Sequence, residues 1–239
     1  MRKYLNKFLK RKGYELRKVP ETRSATMEES VKWLKNEGIE INSVLDVGAS
    51  DGRWTKQCMA SLANAQYALF EAQPVHFDAL DSFESEMPNT IHVVKKAVGS
   101  VEGVTFFDAS DPFSGGLSDK AGSSTIEVPV TTIDSEINAI NLPGPYLLKL
   151  DTHGYERSIL KAATKTLDNC SALIIEAYNH RITKEAFLFW ELCQFLSDRG
   201  FMPVDLVDVL HRDYDNSLWQ MDLVFVKSTW SGFSHVSYS

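Results

Sequence analysis

The stretch LLKLDTHGYERSIL, residues 147–160, carries the densest set of reactive side chains in the chain. An apolar run stops at Asp151, His153 follows two positions later, and Gly154 and Glu156 complete the turn. Near neutral pH an imidazole is the natural general base, and a nearby carboxylate can orient it. An acid with an imidazole also has the makings of a divalent-metal site. Glu156 falls in the first turn of a predicted helix, where a carboxylate favours the helix dipole.

Three further acids end apolar runs in the same way. SVLDVGA predicts a buried strand over 43–49 containing Asp46, YALFEA a strand over 67–72 ending near Glu71, and SALIIEAY a strand over 171–178 with Glu176 and Tyr178 at its end. Short apolar strands alternating with amphipathic helices imply an α/β fold, a doubly wound and mostly parallel sheet covered on both faces. Ligands of such sheets bind beyond the carboxyl ends of the strands, so Asp46, Glu71, Asp151 and Glu176 are expected to converge on one edge.

In VLDVGASDGRWT, Gly48 and Gly52 fall in the turn between the first strand and a helix. Glycine there permits a tight bend and close approach of a ligand to the backbone, and the helix start adds free N–H groups. The spacing is not GxGxxG, and Asp51 would repel a pyrophosphate, which disfavours a dinucleotide and a dehydrogenase. Asp46 and Asp51 suit a cationic or zwitterionic ligand head, and Glu71 can accept hydrogen bonds from both hydroxyls of a ribose. These features together favour S-adenosylmethionine.

The elements that must carry these residues read as follows. Helices are expected over 28–37, 51–63, 76–85, 155–167 and 184–200. Strands are expected over 43–49, 67–72, 91–98, 104–110, 124–133, 146–151, 171–178, 201–207 and 221–227, the last two forming an antiparallel pair at a sheet edge. A Gly/Ser-rich loop over 111–124 reads as a lid or a hairpin tip.

The chain has 239 residues and a net charge of −7, distributed unevenly. Eight Lys/Arg and one acid fall in the first 18 residues, leaving 17 basic and 31 acidic residues in the remainder. An acidic body excludes a general nucleic-acid binder, which needs a basic face for phosphates. The basic start presents Tyr4, Leu5, Phe8 and Leu9 on one helical face. It is expected to form an arm over 1–26, either packed on the body or lying on an anionic membrane surface, ahead of a single domain over 27–239. Three dispersed cysteines without metal spacing argue for a reducing compartment. No apolar run approaches the ~20 residues of a membrane span, and the start lacks a signal-peptide core. The expected location is cytoplasmic, with peripheral contact at the inner membrane surface as an option.

VLDVGASDGRWT, LFEAQP, KKAVGS, VPVTTIDSEI, LLKLDTHGYERSILKAA and ALIIEAY, in this order, resemble the FkbM-type S-adenosylmethionine-dependent methyltransferases. Ser50 stands where that family usually has Asn, and His153 where an acid or amide is common. The resemblance implies a class I methyltransferase fold with a seven-stranded, Rossmann-like sheet whose last strand is antiparallel. It also implies methyl transfer to an oxygen, often a sugar hydroxyl. The expected cofactor site comprises Asp46, Gly48, Ala49, Ser50, Glu71 and Ala97, with Ala97 near the adenine. Asp151 and His153 are expected to orient and deprotonate the acceptor, a glycan or other small molecule, with Glu176 and Tyr178 contacting it. The competing use of Asp151 and Glu176 is as ligands of a divalent metal, which is not the favoured reading.

Overall fold

A computed structural model of the chain describes residues 12, 26–112, 115–118 and 121–237. Except for Lys12, the basic arm expected over 1–26 lies outside the described residues up to Thr26. Seven strands form the main sheet: β1 (Ser43–Val47), β2 (Gln66–Phe70), β3 (Ile91–Val94), β8 (Tyr146–Leu150), β9 (Cys170–Tyr178), β10 (Phe201–His211) and β11 (Leu218–Lys227). Their order is β10-β11-β9-β8-β1-β2-β3. All run parallel except β11, which is antiparallel to both neighbours. This is the mostly parallel seven-stranded sheet with an antiparallel last strand implied by the resemblance.

Successive residues of each strand face opposite sides. Leu45, Val47, Leu148, Leu150, Leu173 and Ile175 enter one core. It is closed by the helices α4 (Ile133–Ala139), α5 (Glu156–Ala162), α6 (Thr164–Asn169) and α7 (Phe189–Ser197). Val44, Leu147, Ile174 and Val224 enter the other. That face is closed by α1 (Met27–Asn36), α2 (Arg53–Ser61) and α3 (Phe77–Glu86) through Val31, Leu34, Trp54, Cys58, Leu80 and Phe83.

The structure bears out the antiparallel pair at a sheet edge, with β10 outermost and β11 between it and β9, and corrects three other expectations. β11 is buried along most of its length and suits an interior position. β10 carries Pro203 and two bulges and is largely exposed apart from Phe201 and Val207, which suits an edge. The run 91–98 breaks after Val94. Lys95 pairs with Asp81 and Lys96 with Glu136, so the chain turns and β4 (Ala97–Val98) joins a second sheet. That sheet adds β5 (Gly103–Asp108), β6 (Gly116–Ser118) and β7 (Thr125–Thr131) in the order β4-β7-β5-β6. The helix expected over 155–167 divides at Ala163 into α5 and α6. The helix expected from 184 starts at Phe189, because Leu188 instead bridges to Tyr178 and its N–H is capped by Glu191. Among the described residues no helix is long and apolar enough to cross a membrane.

Candidate active site

The C-terminal edge of the main sheet opens into a cavity of about 360 Å³, within the size range of small-molecule sites. Its floor is the turn after β1. Gly48 has φ +79°, and a Cβ there would lie 2.1 Å from the Asp151 carbonyl oxygen, so only glycine fits. Asp151 N–H donates to the Val47 carbonyl (3.0 Å), which ties the turn to the end of β8. Ser50 is also left-handed, at φ +51°, a region that asparagine tolerates better than serine.

Glu71, just past β2, fixes this turn. One carboxylate oxygen accepts from Ser50 N–H and the other from Gln73 N–H, both at 2.7 Å. Each oxygen keeps a lone pair for a ligand, and Glu71 lines the cavity with Gly48, Ala49, Ser50 and Ala97. A two-oxygen acceptor beside a glycine floor fits the ribose diol of S-adenosylmethionine. Asp46 does not line the cavity. It is fully buried and accepts from Thr55 Oγ1 (2.6 Å) and Lys149 Nζ (3.1 Å), so it braces the floor from beneath. Asp51 is occupied by Arg53.

Lys149, a charge within the apolar run YLLKLD, is a hub that sequence reasoning passed over. Its ammonium is 3.4 Å from both the Gly48 carbonyl and Asp151, and lies over the Trp54 ring. Burial alone would lower its pKa, but Asp46 and Asp151 prevail and hold it above the ordinary lysine value.

The opposite wall holds the candidate chemistry. His153 has φ +51° and Gly154 φ +98°; a Cβ on Gly154 would meet the Thr183 side chain at 2.9 Å. This turn aims His153 Nδ1 at Tyr178 Oη (3.1 Å) and Glu176 Oε2 (3.3 Å). Tyr178 Oη donates to the same Glu176 oxygen at 2.5 Å, and Gln220 donates to the other at 2.6 Å. The hydrogen bond to Glu176 outweighs burial and pushes His153 up to about 9. Glu176 and Tyr178, expected at the acceptor, lie behind His153 and outside the cavity lining. Asp151 and His153 both line it. Glu156 is buried rather than solvated. It accepts from Thr152 Oγ1 and Gly154 N–H, and burial pushes it up to about 7. Asp151, His153 and Glu176 can each offer a ligand atom within 4.8 Å of one another, a donor set a divalent ion accepts. In this arrangement His153 Nδ1 is instead committed to Tyr178 and Glu176.

The roof comes from the second sheet and the loop before it. Gln73 Nε2 donates to the Asp111 carbonyl (3.0 Å), His76 Nε2 to the Pro112 carbonyl (2.7 Å), and Tyr155 Oη to the Leu117 carbonyl. Gln73 and Tyr155 carry no sequence signal for this role, because their partners are backbone groups far along the chain.

Comparison with known proteins gives the same class. The sequence is 24% identical over 182 residues to the hexuronic acid methyltransferase AglP of Haloferax volcanii, covering 73% of this chain and 75% of the relative. A crystal structure of methyltransferase FkbM from Methylobacillus flagellatus KT superposes with a TM-score of 0.50 at 15% identity. It covers 77% of this chain and 43% of that one, so the match spans less than half of that protein. The family model described as the methyltransferase FkbM domain matches residues 46–203. The chain belongs to the FkbM family of S-adenosylmethionine-dependent methyltransferases.

Proposed function

We propose that this enzyme methylates a hydroxyl oxygen of a sugar or glycosylated small molecule. The observation that carries the reading is the His153–Glu176 pair at the cavity wall. Nδ1 is held by Glu176 and Tyr178, which leaves Nε2 as the nitrogen available to an acceptor. A hydroxyl is a weak nucleophile until its proton is removed, and a carboxylate-backed imidazole is suited to remove it. The hexuronic acid specificity named for AglP supports a sugar acceptor.

Gly48, Ala49, Ser50, Glu71 and Ala97 hold the cofactor in this reading, with Asp46 and Lys149 bracing the floor. S-adenosylmethionine, when bound, supplies an electrophilic methyl group on a sulfonium sulfur. His153 accepts the acceptor hydroxyl proton at Nε2. Glu176 stabilises the imidazolium that forms, and Tyr178 and Gln220 hold Glu176 in place. Asp151, with its side chain 35% exposed at the cavity, accepts a hydrogen bond from a neighbouring hydroxyl. No metal is needed for the proton transfer.

Two measurements test this. Calorimetry with S-adenosylmethionine shows binding that Glu71→Ala weakens at least about tenfold, the loss of a pair of hydrogen bonds to a charged group. Methyl incorporation from labelled cofactor is then followed across glycan, monosaccharide and lipid-linked fractions. Transfer only to amines, or only to acceptors without a sugar, sinks the reading.

A further inference from the structure

The buried carboxyls along this sheet edge are nearly all answered within the protein. Asp46 has Thr55 and Lys149, Glu71 has two amides, Glu156 has Thr152 and Gly154, and Glu176 has Tyr178 and Gln220. Asp222 is largely buried as well, at 9% exposure. No hydrogen bond or contact ion pair reaches it from any described residue. Its oxygens are not sealed off from solvent, so a carboxyl without a partner in the protein is open to a ligand.

Its position says which ligand. Asp222 of β11 is in register with Glu176 of β9. Ile175 of β9 is in register with Leu150 of β8, so Asp151 and Glu176 follow side by side. By strand alternation the three carboxyls stand on one face, that of Asp46 and Lys149. At about 4.8 Å per strand the row spans roughly 10 Å, enough to reach hydroxyls on opposite sides of a sugar ring. It begins at Asp151, in the cavity wall, and runs away from the cofactor strands β1 and β2. Asp208, within electrostatic reach of Asp222, accepts from the N–H of Met27, another cavity residue, so the wall continues to this end of the row. Lys149 is shared between Asp46 and Asp151, and His153 pairs with Glu176. Neither cation reaches Asp222 in a contact ion pair, which leaves its oxygens to a hydrogen-bonding group of a ligand.

We propose that Asp222 is an acceptor-binding residue that hydrogen-bonds a sugar hydroxyl, so that Asp151 and Asp222 hold the acceptor on either side of the His153–Glu176 pair. This rests on the sugar-acceptor reading above. Burial first, then the charges of Asp151 and Glu176, push the Asp222 carboxyl up to about 8. At neutral pH it is therefore protonated, able both to donate to and accept from a hydroxyl.

The test uses the full chain with tritiated-methyl S-adenosylmethionine and the methyl glycosides of hexoses and hexuronic acids. The monodeoxy analogues of the best acceptor follow. Asp222→Ala raises the acceptor KM about tenfold or more while kcat changes less than about threefold, the loss of one buried hydrogen bond. Cofactor affinity by calorimetry is unchanged. One monodeoxy analogue loses the same factor with the wild-type enzyme and no more with Asp222→Ala. Asp222→Asn, which keeps shape and hydrogen-bonding capacity, retains most of the acceptor affinity. An unchanged KM in Asp222→Ala overturns the assignment while leaving the sugar reading intact. Full additivity of the variant with every deoxy position does the same. No transfer to any of the sugars overturns both. Calorimetric binding of Mn²⁺ that Asp222→Ala abolishes assigns the carboxyl to a cation and overturns it.

Discussion

Replacing Glu176 by glutamine keeps the shape of the side chain and removes the charge that holds the His153 imidazolium. In the wild-type protein His153 rises from 6.5 to about 9, chiefly through its hydrogen bond to Glu176 and against burial. At 1.36 kcal/mol per unit this is about 3 kcal/mol in favour of the charged form, a ceiling because the ring keeps 29% of its surface. Without the carboxylate, burial remains and the pKa falls by about two units, to near or below 7. At pH 7 the neutral fraction then rises from about 1% to about half. The direct assay is an NMR titration of the imidazole nitrogens, assigned with His153→Gln, which needs no acceptor. The same shift moves catalysis: kcat/KM climbs with pH to about 9 in the wild type. In Glu176→Gln it levels off about two units lower, at a lower plateau because the base is weaker. Stability follows with a definite sign. The folded pKa exceeds the unfolded one, so the pair's contribution is complete below pH 6.5 and is lost as pH rises through about 9. A wild-type His153 that titrates near 6.5, or a titration indifferent to Glu176→Gln, refutes the reasoning.

Other substitutions report on the rest of the site. Gly48→Ala drives a Cβ into the Asp151 carbonyl; calorimetry shows cofactor affinity reduced at least about tenfold, along with a loss of about 2 kcal/mol in urea unfolding. Lys149→Met leaves Asp46 and Asp151 without their shared cation and costs about 3–5 kcal/mol in the same unfolding measurement. Gln73→Ala and Tyr155→Phe release the roof over the cavity; stopped-flow binding shows faster cofactor dissociation with little change in thermal stability. Asp222→Asn tests a second linkage. A carboxyl raised from 3.8 to about 8 on folding penalises the native state increasingly as pH rises between those values. The variant's gain in Tm over the wild type therefore grows from pH 5 to pH 9.

The strand ends and the glycine turn after β1 were legible because their signals are local. Buried apolar runs that stop at Asp46, Glu71, Asp151 and Glu176 announce strands and the edge where they converge. The insertion of β11 between β9 and β10 was not legible, since chain order does not say which neighbour a strand takes. Lys149 and Asp222 are visible as lone charges inside apolar strands. Their meaning depends on register, which sets Lys149 against Asp46 and Asp222 against Glu176. Asp46 was read as a ligand contact because its exposure is a tertiary property: Thr55, on the next helix, turns it inward. His153 and Glu176 are 23 positions apart in the chain, and only adjacent parallel strands bring them together.

The inserted strand also has a consequence for synthesis. β9 and β10 are made before β11, yet they pair with it rather than with each other. Between them a slot about 10 Å wide stays open until the chain through Lys227 has emerged. At about 5–20 residues per second, the roughly 50 residues after Tyr178 take about 2–10 s. For those seconds β9 is an open edge with Leu173 and Ile175 beside unpaired amides, a template for foreign strands. The nascent protein is therefore open to mispairing along β9 after Glu176 has been translated and before Asp222 is in place.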